Sequence, residues 1–200
     1  MKTDNDINFE KKIIRKKITD ARNSLTPEEH EIKSKKITDN LLKLDEYIKA
    51  GTIFIYYPFR SEIDTKAVIK DAILKGKKVV LPKVEGREIK TFFVSDLRKD
   101  LKSGSFGILE PDISRCKEAD VSEIDLAIVP GLCFDMNFSR IGYGGGFYDK
   151  ILGKLGKGVK KIALAFDLQI ISNVPSCSHD KKVDIILTES KIYKNLTIDK

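Results

Sequence analysis

Apolar residues in the first 50 positions recur at helical spacing. Between positions 8 and 25 they fall at Phe9, Ile13, Ile14, Ile18, Ala21 and Leu25, which predicts an amphipathic helix. The "TPEE" that follows offers Thr26 as N-cap, Pro27 at the first helical position and Glu29 three residues after the cap. This is a capping box opening a second helix. Its apolar face would run through Ile32, Ile37, Leu41, Leu42 and Leu44 to a handover near Gly51. The chain is therefore expected to begin as a helical hairpin.

After Gly51 the pattern changes to short apolar runs separated by amphipathic stretches. Strands are expected at 52–57, at 79–81 (stopped by Pro82), at 89–94, 126–129, 161–166 and 183–188. "DTKAVIKDAILKG" reads as a helix ended by Gly76. "LAIV" at 126–129 is apolar throughout, as a central strand covered on both faces should be. Strands alternating with helices predict an α/β layered fold with a mainly parallel sheet. Residues 104–111 read as a glycine-rich loop, and 191–200 as a strand end or tail. Without repeats or low-complexity linkers, 1–200 is expected to be one domain: a helical hairpin over 1–50, the α/β layers over 51–190 and the tail.

With 41% apolar and 34% charged residues, the composition is that of a globular protein, not a disordered or fibrous one. No apolar run approaches the ~20 residues that span a bilayer, and the first residues lack the apolar core of a signal peptide. A cytoplasmic location without membrane contact is expected. Three widely spaced cysteines without a CxxC pair point to neither a disulfide framework nor a zinc site. The net charge of +7 suits polyanionic substrates. Its lysines lie beside acids, as on solvated faces, so a nucleic-acid-binding module is the lesser alternative.

The candidate chemistry centres on "SRIGYGGGFYDKIL". Gly144, Gly145 and Gly146 let backbone approach a ligand, and the helix expected from Phe147 would present unpaired N–H groups to an anion. Arg140 adds positive charge at the edge. The segment lacks the GK[ST] ending of a P-loop, and Phe147 stands where GxGxxG needs its third glycine. It reads either as a phosphate cradle or as a structural turn. Asp149, in the first helical turn, would repel a phosphate unless Mg²⁺ lay between them. Asp180 in "SCSHDKKVD" offers a second acid, with Asp184 and His179 near it. Lys11 and Arg15 share one helix face, and spacing alone favours a solvated basic face for them.

These segments together resemble the 5-formyltetrahydrofolate cyclo-ligase (methenyltetrahydrofolate synthetase) family. "VPGLCFDMNFSRIGYGGGFYDKIL" is similar to that family's hallmark, approximately PGLxFD…RxGxGxGYYD. The K-x-x-x-R helix, "FRSEIDT", "GILEP", "IALAFDLQI" and "HDKKVD" follow in family order over nearly the whole chain. The resemblance implies a three-layer α/β/α sandwich that converts 5-formyltetrahydrofolate to 5,10-methenyltetrahydrofolate with ATP and Mg²⁺. In this scheme the γ-phosphoryl group activates the formyl oxygen, N10 attacks the carbon, and ADP and phosphate leave.

Residue by residue, the resemblance implies that Lys11 and Arg15 grip ATP phosphates. Arg140, Ile141, Gly142, Tyr143, Gly144, Gly145, Gly146, Phe147 and Tyr148 would form the nucleotide cradle, with Arg140 and Tyr148 at the reacting centre. The stretch from Tyr143 to Phe147 would also face folate. Tyr57 and Glu62 would contact the pterin, and Asp149 and Asp180 would serve Mg²⁺. Phe147 stands where many members have Tyr and so lacks that hydroxyl. A monomer without nucleic-acid or membrane partners is expected. The alternative class is another phosphoryl-transfer or sugar-phosphate enzyme on the same layered fold.

Overall fold

The computed structural model describes residues 3–104 and 107–195. Ser105 and Phe106 of the expected glycine-rich loop, and positions 196–200 of the expected tail, lie outside the described residues.

Helix α1 (Asp4–Asn23) is followed by α2 (Pro27–Leu41), which opens on the expected capping box. The Thr26 hydroxyl accepts from the Glu29 N–H at 3.2 Å, and the Glu29 carboxylate accepts from the Thr26 N–H at 2.9 Å. The second helix ends sooner than its apolar spacing suggests. Leu44 adopts an extended conformation and becomes the N-cap of a separate short helix, α3 (Asp45–Lys49). The break lets both Leu44 and Tyr47 enter the core.

Strand β1 (Thr52–Ile55) leads through α4 (Lys66–Leu74) to β2 (Lys78–Glu85), which turns back into β3 (Glu88–Val94). A short hairpin, β4 (Leu101–Ser103) with β5 (Leu109–Pro111), precedes β6 (Leu126–Val129). A second hairpin, β7 (Cys133–Phe134) with β8 (Arg140–Ile141), leads to α5 (Phe147–Lys154). Strands β9 (Lys160–Leu164), β10 (Ile185–Leu187) and β11 (Ile192–Lys194) follow. Pro82 does not stop its strand. The β1 pairing of β2 ends at Phe54↔Val80, so by Pro82 the only ladder partner of β2 among the described residues is β3. On that free flank a missing N–H costs no ladder bond.

Seven strands form one sheet in the order β11-β10-β9-β6-β1-β2-β3. The five inner strands are parallel, and β3 and β11 close the edges antiparallel. Period-two alternation divides the core. Ile53, Ile55, Val79, Leu81 and Ile128 face α2, α3 and α4, whereas Phe54, Val80, Ala127 and Val129 face α5. This is the expected three-layer sandwich. Strand order reverses between β1 and β6, and the carboxyl ends of strands at such a reversal leave a crevice for ligands.

Helix α1 lies at that carboxyl end, packed on the 3-10 turn Asp167–Gln169. Its inner face differs from the apolar pattern. Phe9 and Ile13 are more than half exposed, whereas Lys11, Ile18 and Arg22, spaced by seven and four, are buried. Apolar anchorage rests on Ile18 against Cys133, Ile141 and Val174. Among the described residues no helix is long and apolar enough to cross a membrane. The cysteines are free thiols, and burial pushes Cys133 up to about 12.

Asp135, only 1% exposed, ties the β7–β8 hairpin to its surroundings. Its carboxylate accepts from the backbone N–H groups of Asn137 (2.9 Å), Ser139 (3.0 Å) and Val174 (2.9 Å). Replacing it would leave three N–H groups without this acceptor. Asp135→Ala is expected to destabilise the protein by about 3 kcal/mol, read as a lower denaturant midpoint.

Candidate active site

A cavity of about 480 Å³ opens at the β1–β6 reversal. Tyr56 and Tyr57 just beyond β1, and Pro130 just beyond β6, form its base. The glycine segment closes one side, α1 another, and Leu109 and Glu110 of β5 a third. Every residue singled out in the sequence for binding or catalysis, from Lys11 to Asp180, lines this one cavity.

The glycine segment takes its shape from two left-handed positions. Gly144 has φ of 106° and Gly146, the N-cap of α5, has φ of 66°, conformations strained for any side chain. Between β8 and α5 the backbone therefore folds tightly and brings the first turn of α5 to the cavity wall. First-turn N–H groups lack intrahelical acceptors and carry the positive end of the helix dipole.

Three cations approach this turn. Arg15 donates from Nε to the Gly142 carbonyl at 2.9 Å, with its guanidinium beside Gly144. Lys11, 5% exposed, pairs with Asp180 at 2.5 Å. Arg140, 5% exposed, bonds Asp149 through Nη2 at 2.8 Å and stands 5.9 Å above the Tyr148 ring. Its Nε is buried with no hydrogen-bond partner among the described residues. Burial pushes the Arg140 pKa down, and Asp149, Tyr148 and Asp180 pull it back. Tyr148 is raised by burial above all and stays a protonated phenol. A row that spacing alone assigned to solvent is thus turned inward.

Asp149 also accepts the Lys181 N–H through Oδ1, and Asp180 accepts the Cys177 N–H through Oδ2. Burial raises Asp180, but Lys11 and the Cys177 N–H outweigh it and hold the carboxyl below its ordinary value. Each acid thus engages its cation and a backbone N–H through the same carboxylate oxygen, and the other oxygen of Asp180 lies 3.9 Å from His179 Nε2. Among the described residues no three His, Cys, Asp or Glu side chains group as a ready-made metal cage. Two acids lining one cavity suit Mg²⁺ arriving on phosphate oxygens, since that ion is held by one or two carboxylates plus substrate phosphate.

Glu62 lines the same cavity in different company. Glu62, 8% exposed, accepts the Phe59 N–H at 2.9 Å and the Tyr143 hydroxyl at 2.7 Å. Burial raises its pKa, against the opposing pull of Tyr143, the Phe59 N–H and Arg22. A buried acceptor next to Tyr56, Tyr57 and Phe59 suits a flat ligand with an edge of N–H donors.

Sequence reasoning missed Arg22. It is 3% exposed and donates from Nη2 to the Tyr143 hydroxyl at 2.9 Å and from Nε to the Ser61 hydroxyl at 3.0 Å. Its signal was the spacing from Lys11 and Arg15, continued by seven residues along the same face. Also missed was the Lys83–Glu110 ion pair at 2.9 Å, although "GILEP" was noted.

The 5-formyltetrahydrofolate cyclo-ligase family model matches residues 7–189. The chain is 31% identical to the 5-formyltetrahydrofolate cyclo-ligase of Haemophilus influenzae over 168 residues, covering 82% of this chain and 89% of the relative. It is 29% identical to the mouse (Mus musculus) enzyme of the same name, over 92% of this chain and 95% of that one. The structure of Aquifex aeolicus 5,10-methenyltetrahydrofolate synthetase superposes with a TM-score of 0.82 at 32% identity, covering 92% of each chain. A synthetase from Mycoplasma pneumoniae shares the fold at a TM-score of 0.73 and 23% identity, over 90% of this chain and 98% of that one. From the β1–β6 crevice to the glycine turn at α5, this chain belongs to the 5-formyltetrahydrofolate cyclo-ligase family.

Proposed function

We propose that this protein is an ATP-dependent 5-formyltetrahydrofolate cyclo-ligase whose two substrates meet in the cavity at the β1–β6 reversal. The observation that carries this reading is the charged lining of that cavity. Buried Arg140, whose Nε has no hydrogen-bond partner among the described residues, stands with Lys11, Arg15 and the α5 N-terminus, and buried Glu62 lines the same cavity with aromatic rings. A polyanion suits the first group and a pterin the second.

The residues then divide the work. Arg15, Lys11 and the backbone N–H groups of 142–148 hold the ATP phosphates. Glu62 accepts the N–H donors of the pterin edge, and Tyr57 packs along the ring. The formyl oxygen attacks the γ-phosphorus and the bond to ADP breaks. Arg140 balances the charge on the transferring group, and the Tyr148 hydroxyl offers a hydrogen bond to its oxygens. N10 next attacks the activated formyl carbon, the carbon–oxygen bond breaks, and phosphate leaves as N10 loses its proton. Positioning suffices for both steps, and no protein nucleophile is used. Asp149 and Asp180 would hold Mg²⁺, which supplies charge neutralisation along the phosphates.

The direct test mixes purified protein, 5-formyltetrahydrofolate, Mg²⁺ and ATP and follows the near-ultraviolet absorbance of the methenyl product. Growth that requires ATP is expected. A flat trace from folded, ATP-binding protein would move the substrate to another phosphoryl acceptor. Arg15→Ala should raise the KM for ATP by about tenfold or more, the weight of a lost charge-assisted contact, and leave the folate KM within about twofold. Asp149→Asn should raise the Mg²⁺ concentration needed for half-maximal rate while preserving the folded circular-dichroism spectrum. An unchanged Mg²⁺ requirement would remove Asp149 from the metal site.

A further inference from the structure

Arg22 is a buried cation whose two described hydrogen-bond partners, the Ser61 and Tyr143 hydroxyls, are both neutral. A guanidinium in such a place needs a counter-charge, because an uncompensated buried ion is strongly destabilising. Its counter-charge lies one hydroxyl away. Tyr143 accepts from Arg22 and donates to Glu62 Oε1, so the phenol bridges a cation to an anion. The second contact of Arg22 reaches Ser61, the residue before Glu62, and the Ser61 hydroxyl in turn donates to Asn23 at 2.6 Å. Helix α1 thus holds the Glu62 loop at Ser61 directly and at the Glu62 carboxylate through Tyr143.

We propose that Arg22 is a positioning residue for substrate recognition: acting through the Tyr143 hydroxyl and Ser61, it keeps Glu62 ionised and oriented as the acceptor for the substrate's N–H donors. The inference rests on the folate reading of the cavity above. Arg22 does not itself touch the reacting atoms. Its effect is on the charge state of a side chain that burial pushes towards protonation. The other groups facing Glu62 do not supply this charge. Tyr56 and Tyr148 are phenols raised by burial, and His30 of α2 meets only the Glu62 backbone carbonyl, at 2.9 Å. Arg22 reaches the carboxylate through the Tyr143 hydroxyl, and its charge adds to the pulls of Tyr143 and the Phe59 N–H against burial.

The sign of the effect follows. Binding through Glu62 requires the carboxylate and weakens as pH falls through its pKa. Removing Arg22 moves that pKa higher, so the acid limb of kcat/KM for folate shifts towards neutral pH.

The experiment measures folate KM, ATP KM and the pH profile for wild type, Arg22→Met and Arg22→Lys. Arg22→Met is expected to raise the folate KM about tenfold near neutrality, to move the acid limb upward and to leave the ATP KM within about twofold. Arg22→Lys keeps the charge and should return the acid limb to near its wild-type position while the folate KM stays partly raised, because an ammonium cannot fork to both hydroxyls. A purely structural role would lower the amount of active enzyme without moving either KM or the limb, and that result overturns the proposal. So does an equal shift of the limb in Met and Lys variants. If Arg22→Met does not accumulate folded, Arg22→Gln, neutral but still able to donate to Tyr143, takes its place with the same expectations. Failure of wild type to cyclise the folate overturns the substrate reading itself, a result distinct from normal Arg22 variants in an active enzyme.

Discussion

Burying charge is the constraint that organises this site. Lys11, Arg22, Arg140 and Glu62 are each less than a tenth exposed, and none can stay there without a partner. The partners come from distant parts of the chain: Asp180 for Lys11, Asp149 for Arg140, and Tyr143 between Arg22 and Glu62. These pairings hold α1, the glycine segment, the loop after β1 and the segment before β10 around one cavity. Little apolar burial does so, since α1 contributes chiefly Ile18 to a small satellite cluster.

That arrangement explains how a ligand site can be both held and receptive. On the proposed reading, the substrate phosphates offer the cations what their protein partners offer now. Phosphate oxygens take over cations that Asp180, Asp149 and the Gly142 carbonyl now engage, while Tyr143 keeps its bond to Glu62 and the substrate's N–H donors meet the remaining lone pairs of that carboxylate. Exchange of one satisfied partner for another avoids the desolvation cost of an unpaired group. The glycine segment suits such exchange, because its left-handed positions are free of side-chain strain.

The sheet fixes where this happens. Five parallel strands flanked by α2, α3 and α4 on one face and α5 on the other leave their carboxyl ends facing α1. Because the order reverses between β1 and β6, the loops after these strands diverge and a crevice forms without any residue having to be removed from the core. Glu62 follows β1, Arg140 follows β6 by way of the β7–β8 hairpin, and Asp180 precedes β10. The hairpin itself is set by Asp135, so a buried structural acid determines where Arg140 emerges.

Much of this was legible in the sequence. The capping box at Thr26, the apolar run of β6 and the helix after Gly146 are local signals, determined by side-chain geometry within a few residues. The glycine segment with Arg140 and Asp149 was legible for the same reason, and the order of motifs along the chain marked the family. What local spacing misread had a tertiary cause. Phe9 and Ile13 looked like the inner face of α1 together with Ile18, but beside the buried Ile18 it is Lys11 and Arg22 that turn inward, because the body beneath them carries Asp180, Ser61 and Tyr143. Pro82 looked like a strand end, and only the stagger of β1 against β2 makes it harmless. The sequence by itself determined the longer helices, the central strands and which residues carry charge. The break before α3, the passage of β2 through Pro82 and the short β4–β5 and β7–β8 hairpins came from tertiary packing. The tertiary structure decided which of those charges are buried, because burial depends on partners that lie as far as 169 positions away along the chain.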